Sequence, residues 1–217
     1  MLNFHNLYAD KKLNEIINTV NEVNKNTFMT CHGKYHVEFV IKTIEYILQS
    51  FHFNEEAIEL GKIAGLFHDI GCISGKKDHA KTSSEMCIQF LDKTNLTNKN
   101  KDIIIQAVSD LSNGNNISST AGAALLIADK INVSKDRVLP LGYNDRWHRN
   151  LCEIEEMGIT VSDNIITINY ITTDKFSKNI LLEEWHKGIL IPIKASKYFN
   201  CTCKFMINGV ETQFDLK

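Results

Sequence analysis

The residues best placed to do chemistry are an adjacent pair, His68-Asp69, at the end of an apolar stretch and just before Ile70-Gly71. Leu66, Phe67 and Ile70 surround the pair, so burial is expected, and a buried carboxylate must be paired or must bind a cation. An imidazole nitrogen together with a carboxylate oxygen suits Zn, Mn or Fe better than Ca. Two neighbouring residues cannot complete a coordination sphere. The other candidates are His36, early in HGKYHVEFV, and Asp129, which closes the apolar run LLIADK. Together the four side chains offer two nitrogens and two oxygens from separate helical segments. Facing helices supply bundle-core metal sites in this way.

Those segments can be read from hydrophobic spacing. Leu13, Ile16, Ile17, Val20 and Val23 mark a helix from Asp10 to about Lys25. Val37, Val40, Ile41, Ile44, Ile47 and Leu48 mark a second from about Lys34 to Ser50. Asn54 is the expected N-cap of a third, which Gly71 is expected to stop. Helices follow near 79–93, 98–111 and 119–133, the last so small and apolar that it belongs at the centre of the domain. A further helical stretch is expected near 135–156. Beyond residue 150 the texture changes to short alternating runs. Ile159–Val161 and Ile165–Ile171 flank Ser-Asp-Asn, SKNILLEEWHKG reads as a short helix, and Pro192 could open another up to Phe199. Asn208-Gly209 turns a second hairpin. The expected architecture is therefore mainly α. A helical core over 1–150 precedes a small α+β appendage over 151–217 in the order ββααββ.

Composition narrows the class. The chain has 217 residues, 43% hydrophobic and 23% charged, which excludes a wholly disordered chain and a collagen-like fibre. A net charge of −2 argues against binding through many phosphate contacts, so nucleic acid is not the expected partner. No run is long enough to span a bilayer, and MLNFHNLYAD has the features of no export signal. With no such signal, the six cysteines read as reduced cytoplasmic thiols.

In their order and contexts, His36, His68-Asp69 within HDIG, and Asp129 within Ala-Asp-Lys resemble the HD-domain metal-dependent phosphohydrolases over about residues 30–140. The resemblance implies an HD-type helical bundle whose ligands are His36, His68, Asp69 and Asp129. It also implies cleavage of a phosphoester by metal-activated water, with Asp69 orienting or deprotonating that water. The ion would be a divalent Mn, Fe, Zn, Co, Ni or Mg. Relatives with two metals add two histidines. His79 matches the first of these, but no His stands near Leu111 for the second, so one metal is expected and His79 becomes a general acid or phosphate contact. The chain lacks the GYP element of cyclic-dinucleotide hydrolases and the acidic residues that follow HD in alarmone hydrolases. A small phosphorylated substrate, a nucleotide or phosphomonoester, remains. The alternative is an HD-fold nucleotide sensor with little turnover, and a homodimer is compatible with either reading.

For phosphate binding the candidates are Lys130, beside Asp129, and Arg137, two helical turns on if that helix continues. Arg137, Arg146 and Arg149 are the only arginines and lie close together, which suits anion recognition or ion pairs to Asp136, Asp145 or Glu153. Lys76 and Lys77 follow the HD segment and could attract an anion or simply be solvated. His32 is expected to line the cleft. His5, His52, His148 and His186 have no evident partners, and Trp147 and Trp185 read as packing anchors. Cys201 and Cys203 are expected to face a core, and Cys72 would be redox-sensitive only if exposed.

Overall fold

The computed structural model describes residues 4–112, 114 and 116–214. After a short α1 (Phe4–Tyr8), α2 (Lys11–Thr27) starts where the Asp10 carboxylate accepts the Leu13 N–H. α3 (Lys34–Ser50) starts at Gly33, and α4 (Glu55–Phe67) at Asn54, whose side chain accepts the Ala57 N–H. α5 (His79–Leu91), α6 (Asn98–Asp110) and α7 (Thr120–Ile131) complete the helices that carry the candidate ligands. α7 is the centre, as its composition predicted: Ala121 through Ala128 are all buried, between α3, α4 and α6. Truncating such a residue, Leu125 for example, is worth about 2–5 kcal/mol. The chain is mainly α.

Several local expectations need correction. Gly71 does not end α4, which stops at Phe67; it lies in a 3-10 turn over Ile70–Ser74. Its lack of a side chain serves close packing, because a Cβ there would lie 2.3 Å from the His79 carbonyl oxygen and 2.5 Å from the Ser83 nitrogen. The glycine thus lets the start of α5 sit against the His68-Asp69 turn.

The continuous helix expected near 135–156 is also absent. α7 closes at Asn132, and two 3-10 turns, Lys135–Arg137 and Pro140–Asn144, precede a seven-residue α8 (Arg146–Cys152). Pro140 supplies the reason: it lacks an N–H and forces Leu139 into an extended conformation. The extended chain there pairs with the segment before α3, Cys31 N–H donating to the Arg137 carbonyl at 2.8 Å and Leu139 N–H to the Met29 carbonyl at 2.9 Å.

The C-terminal part follows the order ββααββ. β1 (Ile154–Ser162) and β2 (Ile165–Thr172) form a hairpin with Ile159 opposite Ile168. β3 (Thr202–Ile207) and β4 (Val210–Thr212) form another, with Met206 opposite Glu211. The two hairpins join into one sheet through parallel pairing of β2 with β3, Ile166 beside Cys203. Between β2 and β3 the helix expected over SKNILLEEWHKG breaks at Trp185, giving α9 (Lys178–Glu184) and α10 (His186–Ser196). Pro192 lies inside α10 and does not open a helix. α10 packs on α7, so one apolar core runs through both parts, from Leu13 to Phe205. No helix among the described residues is long and apolar enough to cross a membrane.

Candidate metal centre

The hydrogen bonds around the two histidines determine where their lone pairs point. His68 Nδ1 lies 2.7 Å from the Gly65 carbonyl, which can only accept, so this nitrogen carries the proton. His36 Nδ1 lies 2.7 Å from Asn132 Oδ1 and donates in the same way. In its neutral form each ring turns the Nε2 lone pair inward, and the two Nε2 atoms are only 3.1 Å apart. Asp69 Oδ2 stands 3.1 Å from His68 Nε2 and 3.4 Å from His36 Nε2, and Asp129 Oδ1 is 3.1 Å from His36 Nε2. Asp69 Oδ2 is buried and receives no hydrogen bond among the described residues.

Four lone-pair donors converging on one point repel unless something positive lies between them. Donors about 2.1 Å from a common ion would be separated by about 3.0 Å at adjacent octahedral corners and about 3.4 Å in a tetrahedron. The observed 3.1–3.4 Å falls in this range. His36, His68, Asp69 and Asp129 thus form a group that could hold a metal ion. The fit rests on the donor chemistry, the spacing and the orphaned carboxylate oxygen.

Proton affinities respond to the same demand for positive charge. Burial would lower the His68 pKa, yet Asp69 and then Asp129 hold it above its ordinary value. Burial would raise both carboxyls. His68 and His32 nevertheless keep Asp69 well below the usual range, and Lys130 with His36 does the same for Asp129.

A cavity of about 330 Å³ opens over this cluster, with Asp69 and Asp129 in its wall. That is enough room for a small ligand. His32 lines it as expected; burial pushes its pKa down to about 3, and its Nδ1 has no hydrogen-bond partner among the described residues. His79 also lines it. Its Nδ1 faces the Lys76 carbonyl at 2.8 Å, and its Nε2 lies 3.7 Å from Asp69 Oδ1.

Lys76, Lys130 and Arg137 reach the cavity by different routes. Lys130 Nζ rests on Asp129 Oδ2 at 2.5 Å. Arg137 does not share a helical face with Lys130. It arrives on the 3-10 turn, and its guanidinium donates to the Cys31 carbonyl through Nε and Nη2 and to the Asn132 carbonyl through Nη1. Much of its donor capacity is therefore used in holding two loops together. The other arginines make local contacts: Arg146 pairs with Glu183 and Glu184, and Arg149 donates to the Asn144 carbonyl. None of these is the acidic partner proposed from sequence.

Cys72 is fully buried, so the condition for redox sensitivity is not met. It belongs instead to a second donor group with Asp69 and His79. Asp110, beside the Leu111 position considered for a second-metal ligand, spends its carboxylate on Gln106 and Ser118. Cys201 donates to the Ser196 carbonyl, and Cys203 is buried; neither belongs to a donor group among the described residues.

The remaining wall was not foreseen. Trp147 and Trp185 stack at 5.6 Å with an 18° interplanar angle, and the cavity also touches His148, Leu151 and Glu184. Trp185 is locked from behind. Its Nε1 donates to the Lys130 carbonyl at 3.3 Å, and Gly188 lies so close that a Cβ would fall 1.8 Å from Nε1. His148, expected to lack a partner, holds Asp145 at 2.5 Å through Nδ1. The signal that could have found this pair is the i, i+3 spacing of Asp145 and His148 at a helix start.

No protein-family model matches the chain, and no curated protein matches it.

Proposed function

We propose that the protein is an HD-type metal-dependent phosphohydrolase acting on a small phosphate ester, a nucleotide or phosphomonoester. The observation that carries this reading is the convergence of four metal-ligating side chains beneath a cavity that also presents Lys76 and Lys130. His36, His68, Asp69 and Asp129 would hold one divalent ion. When bound, such an ion polarises a phosphoryl oxygen and acidifies water near neutral pH.

The chain's own residues supply the rest. Asp69 is ionised in the absence of metal, and its second oxygen, Oδ1, faces the cavity side that His79 also borders. Together they can orient water and accept its proton. Lys76 brings positive charge to the mouth. Lys130 neutralises Asp129, and its ammonium can also meet a phosphate oxygen. All six cysteines are free, in keeping with a cytoplasmic protein under this reading.

The test combines metal analysis of protein purified without chelator with hydrolysis of 4-nitrophenyl phosphate and a nucleotide panel. Wild type is compared with Asp69→Ala. The expected result is about one equivalent of a transition metal and turnover that the variant loses by roughly three orders of magnitude. Protein that takes up no Mn, Fe, Co, Ni or Zn and hydrolyses nothing would overturn the proposal. Metal uptake without turnover would favour a sensor.

A further inference from the structure

In-line displacement at phosphorus places the attacking and leaving oxygens on opposite sides. His79 turns Nε2 toward Asp69 Oδ1, 3.7 Å away, so its position is on the attacking side and not that of the general acid expected from sequence. An alkoxide leaving group also needs a proton, and another residue must supply it. The cavity contains one further histidine with the required arrangement.

His148 lies at the start of α8, its side chain 14% exposed, and it borders the same cavity. Asp145, the N-cap of that helix, receives two hydrogen bonds on one oxygen: from the His148 backbone N–H at 3.0 Å and from its ring Nδ1 at 2.5 Å. These bonds hold the Asp145 carboxyl below its usual pKa. A carboxylate on Nδ1 orients the ring, and in the imidazolium it leaves Nε2–H as the proton that can be given up. Histidine general acids are built in this way. Trp147, Trp185 and Leu151 border the same cavity.

We infer that His148 is a catalytic residue, the proton donor to the leaving oxygen, and that Asp145 is its positioning residue. This rests on the phosphohydrolase reading. In the step, the water oxygen forms the new bond to phosphorus and its proton passes by way of the Asp69 side to solvent. The bond from phosphorus to the leaving oxygen breaks with its electron pair on oxygen, which takes the Nε2 proton of His148. Solvent then reprotonates His148, and the products are an alcohol and inorganic phosphate. The chemical class implied is an ester with a poor leaving group, such as the sugar hydroxyl of a nucleotide, since an acidic phenol would need no donor.

The experiment measures kcat/KM on phosphate monoesters graded from 4-nitrophenyl to alkyl, with metal content, for wild type, His148→Gln and Asp145→Asn. His148→Gln keeps the backbone N–H that Asp145 caps, so α8 retains its start. The expected result is a loss of about 100-fold on the alkyl ester, at least about tenfold greater than on the nitrophenyl ester. Asp145→Asn should give the same pattern with smaller amplitude. In both variants metal content should equal wild type. A loss equal across the series, or no loss, would overturn the role of His148 while leaving the phosphohydrolase reading intact. A wild type inactive on every ester would overturn both.

Discussion

On one side of the cavity, His36, His68, Asp69 and Asp129 stand on α3, α7 and the turn that ends α4, and the two histidines are each pinned through Nδ1. On the other side, Trp147, His148 and Trp185 stand on the seven-residue α8 and on the junction between α9 and α10. The first side is rigid because the most deeply buried helices carry it. The second depends on one stacked indole pair and on the small residue behind it. Under the proposed function the comparison implies a division of labour: one wall would govern whether an ion is held, and the other how well a substrate is used once it is held.

Substitutions on each wall can break that division. The largest effect is expected from His68→Ala, which removes a donor from the centre of the cluster. Metal content should fall close to zero and turnover by about three orders of magnitude, read by elemental analysis and steady-state rates. Asn132→Ala comes next. It removes the partner of His36 Nδ1 without touching a donor, so metal affinity, measured by competition with a chromogenic chelator, should weaken about 10–100-fold. Gly188→Ala tests the other wall. Its methyl group cannot coexist with Trp185 in place, and the expected outcome is a loss of about tenfold in kcat/KM, metal content unchanged, with destabilisation of about 1–3 kcal/mol. If Gly188→Ala instead empties the site of metal, the two walls are not separable.

The smallest effect concerns His32, whose pKa is lowered to about 3 in the fold, chiefly by burial. An unfolded histidine takes up its proton near pH 6.5, so between that value and about 3 the unfolded chain binds more protons. Stability from this group is present above pH 6.5 and is lost as pH falls through that window. The urea midpoint of chelated wild type should therefore drop more from pH 7 to pH 5 than that of His32→Gln. Equal drops would show that the ring charges at little cost.

The helices and the donor set were legible because hydrophobic period and residue type are local signals. α7, with eight successive buried small or apolar residues before Asp129, could hardly be anything but central. What sequence concealed was long-range. Nothing local told that extended pairing with 29–31 would take the place of a helix after Asn132, or that β2 would pair parallel to β3. The Trp147–Trp185 stack joins residues 38 apart, and Cys72 meets His79 only because Gly71 admits the start of α5. His148 looked unpartnered because its carboxylate was read as a possible partner for arginine.

The Arg137 clamp has a consequence for exchange of amide hydrogens. Its guanidinium holds the Cys31 carbonyl while its own carbonyl accepts the Cys31 N–H, and Leu139 N–H reaches Met29 beside it. The segment leading into α3 and the segment leaving α7 therefore have to open together or not at all. The Cys31 and Leu139 amides should exchange with one shared protection factor, as a single cooperative unit. In Arg137→Lys, which cannot grip one carbonyl twice, both should lose protection in parallel while the amides of α7 keep theirs.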